Sequence, residues 1–272
     1  MTHKRKSASI LFTISAITAI GFIVMLVGVA TNAHFTQQFD THWIDMIRVN
    51  ITASKTDFIA FITNFGGVGA IVMMSITLLL IFILLKRYTI AIWFASVVLF
   101  GGALLPWLIK QMIARPRPSD MLVAQGGYSF PSGHATGSTA FYGMIAALLI
   151  IVCSKIWQQI LVGLVAFLII VTIMYTRVYL GVHYPSDVTA GFLLGSTVVL
   201  SGTALLLMYG HKCHSYLIAH NWKDNYLKKI NEKKTILRLS LLRDTKESFL
   251  LATFISGALN QIPNNQYQHH NQ

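Results

Sequence analysis

Long uninterrupted apolar runs limit what this chain can fold into more than any other feature. Six of them, at about 9–30, 66–85, 88–109, 135–153, 157–176 and 188–208, approach or exceed the roughly 20 residues that an α-helix needs to cross a bilayer. Inside hydrocarbon every backbone N–H and C=O must be paired within its own segment, so runs of this length read as helices. The expected fold is therefore all-α, a polytopic bundle of six transmembrane helices. Composition agrees: 54% of the 272 residues are hydrophobic and 11% are charged. That is too little charge to cover the surface of a soluble domain.

The formal net charge of +12 would suggest nucleic acid in a soluble protein. Here the placement of the charges argues for topology instead. Lys4, Arg5 and Lys6 precede the first run, Lys86 and Arg87 separate the second from the third, Lys155 follows the fourth, and Lys212 to Lys246 follow the last. Basic residues gather on cytoplasmic loops and at anionic headgroups, so these positions read as the inside of a plasma membrane, with no nucleic-acid partner. The first run is read as an uncleaved anchor, because its apolar core outlasts a signal-peptide core and Ala30 to Ala33 make a poor cleavage site. Cys153 and Cys213 fall at cytoplasmic span ends and form neither a disulfide framework nor a redox motif.

Residues 1–56 then comprise an anchor and an extracytoplasmic segment, in which Phe35, Phe39, Trp43 and Ile47 recur every four residues. That spacing predicts an amphipathic helix at the outer interface, anchored by Trp43. Residues 57–208 form the membrane core, and 209–272 a basic cytoplasmic tail. In the tail Trp222, Tyr226, Leu227 and Ile230 suggest a surface-lying helix. The stretch near 248–258 is too short to span, and Asn264 to Gln272 read as disordered.

Polar clusters stand where an apolar bundle should not tolerate them. Lys110 ends the third span, followed by Arg115 and Arg117-Pro118; Pro131-Ser132-Gly133-His134 opens the fourth; Arg177, His183 and Asp187 occupy the turn from the fifth to the sixth. With the N-terminus inside, all three clusters emerge on the extracytoplasmic face. Three cations, Lys110, Arg117 and Arg177, call for a multiply charged anion, because the arginine fork suits phosphate oxygens and lysine adds a point charge. Ser132 stands where an N-cap would, so the N–H groups behind it form a phosphate cradle that Gly133 leaves open. His183 and Asp187 are four residues apart. A carboxylate on one imidazole nitrogen fixes the tautomer and frees the other nitrogen to attack phosphorus. His134 is placed to protonate the departing oxygen. Near the pocket the only acid besides Asp187 is Asp120, too few carboxylates for a two-metal site, so neither metal nor cofactor is expected.

At these residues the chain resembles the type 2 phosphatidic acid phosphatase superfamily, whose signature is K-x6-R-P, then P-S-G-H, then S-R-x5-H-x3-D. Lys110 through Arg117-Pro118 supplies the first part, Pro131 to His134 the second, and Thr176-Arg177, His183 and Asp187 the third. The resemblance, over about 57–208, implies a lipid phosphate phosphatase. In it Lys110, Arg117 and Arg177 clamp the phosphate, with Ser132 and Gly133 in the cradle. His134 is the acid, and His183 is the nucleophile that forms a phosphohistidine, oriented by Asp187. Thr176 departs from the usual serine but keeps the hydroxyl, and Arg115 lies outside the signature with its role open. Undecaprenyl diphosphate, phosphatidylglycerol phosphate and phosphatidic acid are the candidate substrates. Vanadium haloperoxidases resemble this family too, but six spans argue against a usually soluble enzyme. A lipid phosphotransferase would share the phosphohistidine, and a non-catalytic scaffold or transporter would use the charges to line a pathway.

Overall fold

The computed structural model describes residues 2–226, which contain helices and no strand. In chain order these are α1 (Thr2–Ala30), α2 (His34–Ile47), α3 (Ala53–Thr63), α4 (Val68–Leu84), α5 (Tyr88–Ser96), α6 (Leu105–Ile113), α7 (Gly133–Val152), α8 (Ile156–Tyr179) and α9 (Pro185–Ala219). Among the described residues five stretches are long and apolar enough to cross a membrane: Arg5–Ala30, Tyr88–Ile113, Gly133–Val152, Ile156–Tyr179 and Pro185–Ala219. The bent pair Ala53–Gly66 and Val68–Leu84 makes a sixth when counted as one broken span. The chain is a multi-pass membrane protein whose described residues are all-helical.

Two spans are not simple rods. The second, expected at 66–85, is α4 preceded by α3, with 41° between them across the 3-10 turn Asn64–Gly66. Consecutive glycines, Gly66 and Gly67, carry a cost inside a helix, and here the break lets α8 come close. A Cβ on Gly66 would collide with Ile173 Cγ2. The third span joins α5 to α6 through a π-helical segment, Val97–Leu104, just ahead of Pro106. Proline has no N–H to continue the regular ladder, and the widened turns absorb the mismatch.

α7 is the centre of the bundle, with Ala135, Ala140 and Met144 fully buried between α8, α9 and the π segment. Gly191 on α9 is what brings α7 so near: a Cβ there would meet Ser132 O at 2.8 Å. Small residues are how helices approach closely in a bilayer, where lipid is as apolar as leucine. α1 lies along α9, joined by Ser15 Oγ to Thr197 O at 3.0 Å and by the Thr18 and Thr197 hydroxyls at 2.9 Å.

α2 forms where the four-residue spacing places a helix, but its buried side is not the aromatic one. Thr36 and Asp40 are buried, Phe39 and Ile47 are half-buried, and Phe35, Trp43 and Met46 are exposed. At the other end of the chain α9 continues past the expected 208 to Ala219, and the compact unit runs to Tyr226. Trp222 and Tyr226 therefore do not lie on a surface helix. They belong to a non-helical return in which Trp222 packs edge-on against Tyr88 and Asp224 is buried against Thr89 and His214. Leu227, Ile230, the stretch 248–258 and Asn264 to Gln272 lie outside the described residues.

Candidate active site

The end of α6, the starts of α7 and α9, and the end of α8 meet at one end of the bundle, and the loops after α6 and α8 close over them. Ser132 caps α7 by accepting from Ala135 N at 3.4 Å, while its own N–H donates to Asp187 O at 3.0 Å. That bond ties the Pro-Ser-Gly-His turn to the start of α9. On α9 the Asp187 side chain reaches back and accepts from Tyr184 N at 2.9 Å, satisfying an N–H at the helix start.

Asp187 is fully buried and every side of it is engaged. Its Oδ1 accepts from Arg115 at 2.7 Å; its Oδ2 accepts from Tyr184 N and Ser129 Oγ and faces His183 Nδ1 at 3.5 Å. His183, 2% exposed, has its other nitrogen, Nε2, 3.2 Å from Arg117 NH1. A guanidinium has only donors, so Nε2 accepts and the proton sits on Nδ1, toward Asp187 and Ser129. The tautomer is thereby set with the Nε2 lone pair on the cationic side. Burial, partly offset by Asp187, lowers the His183 pKa to about 4, so the imidazole is neutral at pH 7.

The three expected clamp cations are brought together, each held by uncharged acceptors. Lys110 Nζ donates to Tyr128 O at 2.9 Å and Ser129 O at 3.1 Å. Arg117 donates to Gly126 O, Gly127 O and, at 2.6 Å, Val182 O. Arg177, 2% exposed, donates to Thr63 Oγ1 at 3.0 Å and Gln125 Oε1 at 2.9 Å, and its Nε has no partner among the described residues. Within the same set none of these three cations makes an ion pair with a carboxylate, whereas Arg115 pairs with both Asp40 and Asp187. Arg177 is buried and Lys110 and Arg117 are half-buried, and such a group of cations without carboxylate partners is suited to an anion. His134 lies within electrostatic reach of Arg177, His183, Arg117 and Lys110. Gly133 leaves room beside Lys110, whose Cε would be 3.9 Å from an added Cβ. Among the described residues no group of three or more His, Cys, Asp or Glu is arranged to hold a metal ion.

All eight expected site residues thus gather at one end of the bundle, and they lie within residues 90–210, which match the sequence pattern of the PAP2 superfamily. The chain is 32% identical over 147 residues to the lipid A 4'-phosphatase of Bacteroides thetaiotaomicron, covering 47% of this chain and 61% of that protein. It is 40% identical over 96 residues to phosphatidylglycerophosphatase B of Bacillus subtilis, covering 34% and 46%. With the undecaprenyl-diphosphatase of Sulfolobus acidocaldarius it shares 29% over 172 residues, covering 59% and 75%. The match to the first two therefore spans less than two thirds of each relative's length. The crystal structure of a transmembrane PAP2 type phosphatidylglycerolphosphate phosphatase from Bacillus subtilis superposes with a TM-score of 0.58 at 24% identity, covering 71% of this chain and 96% of that one. That agreement concerns the fold.

Beside the PAP2 signature, the structure adds residues that the motif does not contain. Ser129, next to the Pro-Ser-Gly-His turn, bonds Asp187, and Gln125 bonds Arg177. Thr63, at the break between α3 and α4, lies before the matched region. Its hydroxyl accepts from Arg177 and stands 2.9 Å from the Thr176 hydroxyl, so the threonine that replaces the usual serine joins the support of its neighbour. Arg115, whose role the sequence leaves open, contacts the Asp187 carboxylate directly.

Proposed function

We propose that this chain is a membrane lipid phosphatase that hydrolyses lipid phosphate monoesters or diphosphates through a phosphohistidine on His183, without a metal ion. The observation that carries this reading is the orientation of His183, its Nδ1 side toward Asp187 and its Nε2 toward cations that lack carboxylate partners among the described residues. The relatives support the substrate class, since those named above act on lipid A, phosphatidylglycerophosphate and undecaprenyl diphosphate.

In the first step the Nε2 lone pair forms the N–P bond as the bond from phosphorus to the lipid oxygen breaks, and His134 gives its proton to that oxygen. Lys110, Arg117 and Arg177 stabilise the charge on the three equatorial oxygens, the task that metal ions perform in other phosphoryl-transfer sites. Asp187 stabilises the imidazolium character that develops on His183. Water then attacks phosphorus, His134 takes a proton from it, the N–P bond breaks and phosphate leaves. The site opens to the extracytoplasmic side in this account, the basic loops facing the cytoplasm.

The test is phosphate release by purified protein on undecaprenyl diphosphate, phosphatidylglycerol phosphate, phosphatidic acid and a soluble phosphate ester. Each substrate is run with and without a lipid acceptor that would report transfer. At least one lipid phosphate turns over, and His183→Ala abolishes that turnover while the protein still inserts. Undiminished turnover by His183→Ala refutes the nucleophile.

A further inference from the structure

α2 presents an inverted pattern. A helix outside the long apolar spans exposes Phe35, Trp43 and Met46 and buries Asp40, which is 5% exposed. A buried carboxylate is costly unless it is fully hydrogen-bonded, and a buried polar group is more informative than an exposed apolar one. Both oxygens of Asp40 are spent on a few neighbours around the site. Oδ1 accepts from Ser186 N at 2.7 Å; Oδ2 accepts from Ser186 Oγ and from Arg115 NH2, both at 2.8 Å. Ser186 directly precedes Asp187, and Arg115 is the residue that holds Asp187 Oδ1.

Arg115 is itself gripped from several sides. Its NH1 donates to Asp187 Oδ1 at 2.7 Å and to Ser186 Oγ at 2.8 Å. Its guanidinium lies 4.0 Å from the centre of the Tyr184 ring, and its carbonyl accepts from Ser129 N. A planar fork with two nitrogens on two carboxylates fixes both in angle as well as in distance. With Oδ1 committed to Arg115, the carboxylate of Asp187 has one rotational setting, the one that turns Oδ2 toward His183.

We propose that Asp40 is a positioning residue for the reaction at His183, acting through Arg115 and Ser186 on Asp187. Helix α2, outside the candidate spans, is by this route part of the catalytic apparatus, although Asp40 touches neither His183 nor the place of the phosphate. The inference rests on the phosphatase reading above. A purely structural tie, holding α2 against the bundle, is the competing account.

The experiment compares Asp40→Asn, Arg115→Gln, Arg115→Lys and the Asp40→Asn/Arg115→Gln double variant, with His183→Ala as reference and Thr36→Val as control. Thr36 is one turn before Asp40 and its hydroxyl bonds Gly28 O and Ala33 O, so its loss loosens α2 without touching the relay. Asp40→Asn lowers kcat about tenfold and Arg115→Gln about 10- to 100-fold, with KM within about twofold of wild type, because the phosphate clamp is intact. The double variant is no slower than Arg115→Gln, as expected when two residues act along one route. The charged groups facing His183 are Asp187, Arg117 and Lys110, and the titratable His134 stands beside it. Removing the Arg115 charge leaves Asp187 uncompensated and shifts the acid limb of the pH–rate profile upward, whereas Arg115→Lys keeps the wild-type limb. Wild-type kcat in Asp40→Asn overturns the proposal, as does a multiplicative double variant or an equal loss in Thr36→Val. If Asp40→Asn fails to insert, Arg115→Lys and Arg115→Gln decide: identical pH profiles overturn the relay. Turnover by His183→Ala would instead overturn the phosphatase reading itself.

Discussion

Asp187→Asn is the substitution that interrogates the site most directly. The native carboxylate accepts on all sides, from Arg115 at 2.7 Å, from Tyr184 N at 2.9 Å and from Ser129, and it faces His183 Nδ1 at 3.5 Å. An asparagine has one acceptor oxygen and one donor NH2. With its oxygen toward Arg115, the NH2 confronts the Tyr184 N–H and the Nδ1–H of His183; with its oxygen toward them, the NH2 confronts Arg115. Turning the His183 proton to the other nitrogen relieves the first arrangement only by aiming Nε2–H at Arg117, 3.2 Å away, and Nε2 then has no lone pair for phosphorus. In a serine-protease triad the same tautomer reversal costs about 10⁴ in turnover. A loss on the order of 10³–10⁴ is expected here, equal to about 4–5.5 kcal/mol of barrier. The unsatisfied buried donor adds about 1–3 kcal/mol of destabilisation. Phosphate release under steady state, with trapping of phosphorylated His183 after rapid mixing, separates the attack from later steps. KM should change little, since Lys110, Arg117 and Arg177 are untouched. An Asp187→Asn enzyme that is folded and turns over within about tenfold of wild type would refute the assigned tautomer.

The pH profile follows from the depressed pKa of His183. Its folded value is about 4 against an ordinary 6.5, so the nucleophile stays neutral well below pH 6.5 and the acid limb of kcat/KM belongs near pH 4. In unfolding, the exposed imidazole gains its proton below about 6.5, so the stability linked to this group is present above pH 6.5 and declines between 6.5 and 4. A limb near 6.5 that disappears only with His183 would contradict this. Thr63→Val removes the hydroxyl that accepts from Arg177 and lowers kcat/KM about tenfold, while Thr63→Ser restores it; equal activity in Thr63→Val and wild type would deny Thr63 a part. Treatment with EDTA leaves turnover intact, and a strict divalent-cation requirement would favour a metal-assisted route.

The bilayer makes much of this protein legible from its sequence. Hydrocarbon demands helices of about 20 apolar residues, and counting such spans puts the end of α6, the start of α7, the end of α8 and the start of α9 at one end of the bundle. Lys110, Ser132, His134, Arg177, His183 and Asp187 are therefore collected by parity alone. The His183–Asp187 spacing of four residues is equally readable, because both belong to one local turn.

Only the tertiary structure decides who supports these groups. Asp40 lies on a helix whose four-residue aromatic spacing points to the opposite face, and nothing in that spacing reveals that its polar side is the one buried. Thr63 reaches Arg177 because α3 ends at the break Asn64–Gly66, just ahead of the span expected at 66–85. Arg115 pairs with Asp40 and Asp187 across separations of 75 and 72 residues. Periodicity fixes which residues share a helix face, but it carries no information about the rotation of one helix against another. Contacts of this kind depend on that rotation to within a fraction of a turn. Close packing sets it, through glycines such as Gly191 that admit a neighbouring backbone and the buried donors that must find an acceptor.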